Sequence, residues 1–170
     1  EEMNRLLRQP DPTTKLGVRD QTMLEVMYAT GLRVSEACAL RPLDFDPQTG
    51  YLRVTGKGSK ERILPIHTAA QSQLTLYLGT WRPLFSPRCD HAFLNRSGNS
   101  LSRQGVWKMI KKYARQADIQ RSISPHTIRH SNTRTDGDAL AHPHIHLPDS
   151  HANINHNHAD GYSHAHTNAY

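Results

Sequence analysis

The stretch TGLRVSE, residues 30–36, joins two helical patterns through a single glycine. Residues 19–30 carry apolar side chains at helical spacing, which predicts a helix that ends at Gly31. Residues 35–40 have the same spacing and stop before Pro42, which predicts a second, shorter helix. Arg33 therefore lies at the start of the second helix, just after the glycine that ends the first. A planar, permanently charged guanidinium suits contact with a phosphate, although a single arginine in such a place is more often a surface charge.

After residue 50 the period of the sequence changes from helical to alternating. Residues 51–55 and 61–66 predict two strands of an antiparallel hairpin, with Gly56-Lys57-Gly58-Ser59 as the turn. Glycines on both sides of Lys57 let the backbone approach a ligand closely. A lysine at such a tip can protonate a leaving oxygen, but an exposed turn lysine without a ligand gives the same pattern.

A third segment, SPHTIRH at residues 124–130, places His126 and Arg129 three positions apart. On one helical turn the two side chains face the same way, so a proton carrier would lie beside a phosphate clamp. Together with Arg33, Arg129 would stabilise the charge that builds on the oxygens of a phosphodiester under attack. The pair alone is weak evidence.

Two other helices are predicted on either side of a proline-containing loop. Thr68 is expected to cap a helix that runs to Leu78. Ser102 is expected to cap an amphipathic helix whose inner face consists of Val106, Trp107, Ile110, Tyr113, Ala114 and Ala117. The other face is basic and consists of Lys108, Lys111, Lys112 and Arg115. Such a face is usually a solvated surface, and it could also lie on a phosphate backbone.

Charge divides the 170-residue chain into two parts. Residues 1–130 hold 20 of the 21 lysines and arginines and 11 of the 15 acidic residues, a net charge of +9 that favours a nucleic-acid partner. No apolar run is long enough to span a bilayer, which predicts a soluble, cytoplasmic protein. The cysteines, Cys38 and Cys89, lack metal-ligand spacing and are expected to be buried free thiols.

Residues 131–170 have a different composition and a net charge of −3. Asn, Asp, His and Tyr fill 19 of these 40 positions, and no helical or strand period is visible, which predicts an irregular tail. A frameshift or damage after about residue 131 would produce such a composition. Taken at face value, the eight histidines near Asp149 or Asp160 could instead chelate Zn²⁺, Ni²⁺ or Cu²⁺ weakly.

Three segments together resemble tyrosine recombinases of the Xer and phage-integrase type. Residues 24–36 look like the first conserved box of that family, residues 54–62 are similar to its catalytic hairpin, and residues 124–131 resemble its second box. The resemblance covers about residues 1–131. It implies an α+β fold that is mainly α, namely a catalytic domain with a small three-stranded antiparallel sheet, followed here by the irregular tail at 132–170.

The resemblance also implies a site and a chemistry. A tyrosine hydroxyl attacks the scissile phosphate, a 3′-phosphotyrosyl link forms, and a 5′-hydroxyl leaves without any cofactor or metal. Lys57 would be the general acid, and Glu36 would support Arg33. In the tail, His151 is the nearest match to the family's Leu-Gly-His box and Tyr162 the nearest match to its nucleophile. The implied catalytic residues are Arg33, Lys57, His126, Arg129, His151 and Tyr162.

The family's N-terminal core-binding domain is expected to be absent, because residue 1 aligns with the start of the catalytic domain. Three functions are therefore carried forward. The first is a site-specific recombinase that acts on double-stranded DNA with other protomers. The second is a catalytically dead, DNA-binding derivative, because the apolar positions around Tyr162 are filled by Asn, His and Asp. The third is a His-rich metal-binding protein. None of these involves a membrane.

Overall fold

Short helices and one small sheet make up the fold. The computed structural model describes residues 1–56, 58, 60–120, 123 and 128, all of them in one compact unit, Glu1–Leu140. The described elements, in order, are α1 Glu2–Leu7, α2 Lys15–Thr30, α3 Val34–Ala39, a 3₁₀ turn Pro42–Asp44, β1 Phe45–Asp46, β2 Tyr51–Thr55, β3 Glu61–Pro65, α4 Thr68–Leu76, a π turn Tyr77–Trp81, a 3₁₀ turn Arg82–Phe85 and α5 Arg103–Gln116.

Helix α2 is the central element, and it starts one turn earlier than the apolar spacing predicts. The Thr14 hydroxyl accepts a hydrogen bond from the Gly17 N–H at 3.1 Å, so the helix begins at Lys15. Gly17 allows this start, because a Cβ there would lie 1.9 Å from the Asp11 carbonyl oxygen. At the other end Gly31 adopts φ 63°, and the predicted helix end is confirmed.

The sheet is antiparallel with the order β1-β2-β3. Leu52 of β2 pairs with Leu64 of β3, and Val54 pairs with Arg62. Leu52 and Val54 are buried, whereas Ile63 on the opposite face is exposed. The predicted hairpin and the three-stranded antiparallel sheet are both confirmed.

Helix α5 packs its apolar side on the core, with one difference from the predicted face. Trp107 is 41% exposed, and the ammonium of Lys111 lies 5.8 Å from the centre of its indole ring. Met109 is buried instead. Both residues lie at the margins of the buried face, where helical spacing alone does not decide which side chain is covered. Ser102 caps this helix as predicted, accepting from the Gly105 N–H at 3.1 Å.

Helix α4 is capped by His67, and the prediction of a Thr68 cap is wrong. The His67 Nδ1 atom accepts from the Ala70 N–H at 3.3 Å, and Thr68 is already the first helical residue. The helix passes into a π turn, Tyr77–Trp81, where a Leu78 end was predicted.

A buried polar cluster ties α2 to α5 and to the intervening loop. Arg19 donates to the Asp20 carboxylate and, through Nη1, to the Leu94 carbonyl at 2.8 Å. The Tyr113 hydroxyl donates to Asp20 Oδ2 at 2.9 Å. Burial, together with the Asp20 charge, raises the pKa of Tyr113, so its hydroxyl keeps its proton. Each buried charge therefore has a partner, as burial requires.

Three other sequence-based expectations concern cysteines, metals and membranes. Cys38 and Cys89 are free and half-buried, and burial, opposed by the positive charge of Arg103, raises the pKa of Cys38 to about 11. Within residues 1–56, 58, 60–120, 123 and 128, no helix is long and apolar enough to cross a bilayer. The same residues contain no group of three or more His, Cys, Asp or Glu that could hold a metal. The His-rich tail lies outside them.

Candidate active site

Arg33 is held at its backbone and exposed at its guanidinium. It is the N-cap residue of α3, in extended conformation, two positions after the left-handed turn at Gly31. Leu32, just before it, is buried and anchors the chain in the core. The Arg33 side chain is 57% exposed. The positive group is thus presented to solvent from a fixed point of the fold.

The carboxylate of Glu36 is the centre of the site. Its side chain is 5% exposed. One oxygen, Oε2, accepts from the Arg33 backbone N–H at 2.8 Å, and the other, Oε1, accepts from Arg33 Nη1 at 3.1 Å. The expected support of Arg33 by Glu36 is present in this geometry, through both the main chain and the side chain.

Arg62 of β3 binds the same carboxylate with two hydrogen bonds. Its Nη1 donates to Glu36 Oε1 at 2.8 Å, and its Nη2 donates to Oε2 at 2.9 Å. Arg62 is not among the site residues that the sequence predicts. A signal was available, because Arg62 occupies an inward-facing position of an alternating strand, opposite buried Val54. A charged residue at such a position needs a partner.

Three hydrogen-bonding groups set the ionisation of Glu36. Burial by itself would raise the pKa of Glu36. The hydrogen bonds from the Arg62 guanidinium, the Arg33 backbone and the Arg33 side chain outweigh burial and lower this pKa to about 2. Glu36 is therefore ionised at neutral pH, and it holds both arginines by charge-assisted hydrogen bonds.

The β2–β3 hairpin approaches this cluster at Gly56. A Cβ on Gly56 would lie 3.5 Å from Arg62 Nη1 and 3.9 Å from Glu36 Oε1. The Gly56 N–H donates to the Lys60 carbonyl at 2.8 Å, which closes the base of the turn. The residue that precedes Lys57 in the chain is thus next to the Arg33–Glu36–Arg62 cluster.

Arg33 is the one predicted catalytic residue within the described part of the chain. Lys57, His126, Arg129, His151 and Tyr162 lie outside the described residues, so their roles stay predictions. Ile128, the neighbour of Arg129 in the sequence, is fully buried in the core.

The basic face of α5 is exposed to solvent. Trp107 separates this face from the apolar side of the helix, and the exposed cations are Lys108, Lys111, Lys112 and Arg115. Together with Arg33 they give the described part of the chain two exposed cationic surfaces that could contact phosphate.

Comparison with known proteins identifies the family. The family model described as the phage integrase family matches residues 1–135. The chain belongs to this family. It is 47% identical over 133 residues to tyrosine recombinase XerD of Staphylococcus epidermidis, and 46% identical over 134 residues to the XerD of Listeria innocua. Each alignment covers 77% of this chain and 45% of the relative. The chain therefore spans less than half the length of these curated relatives.

Solved structures of recombinases have the same fold. The XerA recombinase superposes with a TM-score of 0.70 at 26% identity, covering 81% of this chain and 50% of XerA. A second structure is that of XerH, a site-specific recombinase bound to a palindromic difH substrate in a post-cleavage complex. It superposes with a TM-score of 0.66 at 25% identity, covering 77% of this chain and 39% of XerH. The predicted mainly helical recombinase fold with a three-stranded sheet is confirmed, as is the Xer-type family resemblance.

Proposed function

We propose that this chain is the catalytic domain of a site-specific DNA recombinase of the Xer type. The observation that carries the proposal is the Arg33–Glu36–Arg62 cluster, in which an exposed arginine is fixed by a buried carboxylate in a chain of the phage integrase family. A fixed guanidinium stabilises charge on a phosphate without reorganising during the reaction.

In the proposed reaction the Tyr162 oxygen attacks the scissile phosphorus, and the bond from phosphorus to the 5′ oxygen breaks. Lys57 gives a proton to the departing 5′ oxygen, and the tyrosine proton passes to a base, for which His126 is the candidate. Arg33 and Arg129 bind the non-bridging oxygens on which charge builds, and His151 is the further candidate at the phosphate.

The second half of the reaction reverses the first on another strand. The 5′-hydroxyl of that strand attacks the 3′-phosphotyrosyl phosphorus, and the tyrosine leaves. One phosphodiester bond is exchanged for another, so no nucleotide cofactor or metal enters the scheme. Covalent catalysis divides the displacement into two steps.

Double-stranded DNA is the proposed substrate, and other recombinase protomers are the proposed partners on it. The XerH structures are complexes with difH DNA, and a lambda integrase structure is a dimer bound to a core site. In this chain the exposed cations of α5 would contact backbone phosphates, which positions the protein without reading sequence. The proposed location is the cytoplasm, where such DNA is found.

The proposed boundary places the catalytic domain at residues 1–131 and assigns the nucleophile to the segment 132–170. The frameshift hypothesis has its own test, because the gene can be read in all frames after codon 131. A family-like tail in another frame would support it, and its absence from every frame would exclude it.

The test of function is covalent capture of DNA. A nicked suicide duplex that carries the difH site is incubated with the protein, and a denaturing gel reports any protein–DNA adduct. We expect an adduct that disappears in Tyr162→Phe and that forms roughly 100- to 1,000-fold more slowly in Arg33→Ala, the usual cost of losing one charge-stabilising donor. DNA retarded on a native gel without an adduct would support the alternative, a DNA-binding derivative that no longer cleaves.

A further inference from the structure

We propose that Arg62 is a positioning residue of the recombinase site. Through Glu36 it holds Arg33 and the hairpin that carries Lys57 in one unit, and it keeps the positive charge of Arg33 available to the scissile phosphate. This inference rests on the proposed function, and it assigns a role to a residue outside the predicted catalytic set.

The first argument is the convergence of separate elements on one carboxylate. Arg33 reaches Glu36 from the start of α3, and Arg62 reaches it from β3, which is 26 positions further along the chain. The two parallel hydrogen bonds of Arg62, at 2.8 and 2.9 Å, fix the plane of the carboxylate. A carboxylate held in one plane also fixes the direction in which it accepts from Arg33.

The second argument is the contact of Arg62 with the hairpin. A Cβ on Gly56 would lie 3.5 Å from Arg62 Nη1. The backbone of Gly56 thus lies beside the guanidinium that binds Glu36. Gly56 directly precedes Lys57 in the sequence. A shift of Arg62 would therefore remove its contacts with Glu36 and with the hairpin at Gly56 at the same time.

The third argument is electrostatic. Glu36 paired with Arg33 alone would cancel the charge that the phosphate is to meet. Arg62 is less exposed than Arg33, with 34% of its side chain accessible against 57%. Its guanidinium makes two contacts to Glu36, at 2.8 and 2.9 Å, whereas the Arg33 guanidinium makes one, at 3.1 Å. The three groups together carry one net positive charge. Because Arg62 neutralises Glu36, this charge is presented at Arg33, the more exposed of the two arginines.

A purely structural role for Arg62 would predict lost stability and no change in how the site responds to pH. The proposed role predicts a specific pH signature. Without Arg62 the burial of Glu36 is opposed by Arg33 alone, so the pKa of Glu36 rises from about 2. At neutral pH the ionised Glu36 then holds and neutralises Arg33. Acidification protonates Glu36 and releases Arg33.

The experiment compares the unaltered chain, Arg62→Gln and the control Arg53→Gln. Arg53 is an exposed arginine of neighbouring β2, so the control removes the same charge from the same sheet. The rate of adduct formation on the nicked difH duplex is measured in single turnover at neutral pH and near pH 5. Carbon-detected NMR follows the titration of the Glu36 carboxyl, and nitrogen-detected NMR follows Arg33 Nε.

For Arg62→Gln we expect an adduct rate lower by roughly 100-fold at neutral pH, the scale of a displacement of about 1 Å in a catalytic group. The deficit relative to the unaltered chain should shrink near pH 5, and the Glu36 pKa should rise. In a Glu36→Gln background the same substitution should cost less than about threefold, because the two residues act as a unit. Arg53→Gln should match the unaltered chain in its adduct rate at neutral pH, in the change of that rate near pH 5 and in the Glu36 pKa.

A second variant guards against loss of folding. Arg62→Lys keeps a charge against the buried carboxylate but not the two-pronged contact. It should keep an unfolding midpoint near that of the unaltered chain and lose roughly tenfold in adduct rate, a smaller displacement than in the glutamine variant. A rate for Arg62→Lys equal to that of the unaltered chain would overturn the proposal.

Failure of the proposed function is recognised separately. If the unaltered chain forms no adduct on the difH duplex, cleavage of that site is contradicted, and NMR alone decides the role of Arg62. A Glu36 pKa and an Arg33 Nε resonance that are unchanged in Arg62→Gln would then overturn the inference. A raised pKa with a displaced Arg33 resonance would support it.

Discussion

The stability of this fold should fall in acid because of one buried carboxylate. The pKa of Glu36 is about 2 in the folded chain, against 4.5 for an unperturbed glutamate. A folded-state pKa below the unfolded value stabilises the fold at pH above 4.5, and this contribution is lost as the pH falls toward 2. At about 1.4 kcal/mol per pKa unit, ionised Glu36 contributes about 3 kcal/mol at neutral pH, of which about 2 kcal/mol is gone by pH 3.

The perturbation that isolates this contribution is Glu36→Gln, which keeps the shape of the side chain and removes its ionisation. Urea unfolding of both chains between pH 7 and about pH 3 gives the difference in free energy of unfolding at each pH. Hydrogen bonds from nearby threonines and backbone amides also lower the pKa values of Asp11 and Asp46. Protonation of these two carboxylates in acid destabilises both chains equally, so their effect cancels in the difference.

We expect the stability advantage of the unaltered chain over Glu36→Gln to shrink by about 2 kcal/mol between pH 7 and pH 3. The difference in free energy of unfolding at neutral pH also includes the cost of replacing the carboxylate that Arg62 binds with an amide. That cost does not depend on pH. A difference that stays constant within about 0.5 kcal/mol over this range would refute the assignment of a lowered pKa to Glu36.

Three further predictions concern other parts of the described chain. Gly98→Ala should lower the free energy of unfolding by more than about 1 kcal/mol, because φ is 79° and the new Cβ would meet a carbonyl oxygen at 2.3 Å. Gly58→Ala, with φ 76° and open space around the Cβ, should cost less, and equal effects in urea unfolding would contradict the steric argument. Tyr113→Phe should destabilise by about 1–3 kcal/mol, because Asp20 loses a buried donor at 2.9 Å, and an unchanged urea midpoint would count against this hydrogen bond. Lys111→Gln should reduce the slope of log affinity against log salt for a random-sequence duplex by about 1, and an unchanged slope would exclude a phosphate contact.

Local patterns account for most of what could be predicted from the sequence. The end of α2 follows from a glycine after a helical run, and the β2–β3 hairpin follows from alternation around a glycine-rich turn. The start of α2 at Lys15 is not predicted, because a glycine in the first turn is unfavourable in a helix. In the structure Gly17 packs against the Asp11 backbone, where no larger residue would fit. Such close backbone packing leaves no periodic signal.

The candidate site was predictable in part, because its members are far apart in the chain. The support of Arg33 by Glu36 was implied by the family resemblance, and in the structure it is a capping-box contact over three positions. Arg62 is 26 positions from Glu36, and alternation in β3 predicts that it faces inward but not which carboxylate it meets. The assembly of Arg33, Lys57, His126 and Arg129 into one site came from the family resemblance, as did the roles of His151 and Tyr162, since no spacing rule joins residue 57 to residues 126 and 129.

The buried cluster of Arg19, Asp20 and Tyr113 constrains how the chain can fold as it is made. Arg19 finds the Leu94 carbonyl 75 positions later, and Asp20 finds the Tyr113 hydroxyl 93 positions later. At ribosomal speeds of about 5–20 residues per second, Asp20 is synthesised roughly 5–20 s before its hydroxyl donor exists. Until α5 has left the ribosome, the polar side of α2 has to remain hydrated. The polar contact between α2 and α5 can therefore form only after residue 113 has been synthesised.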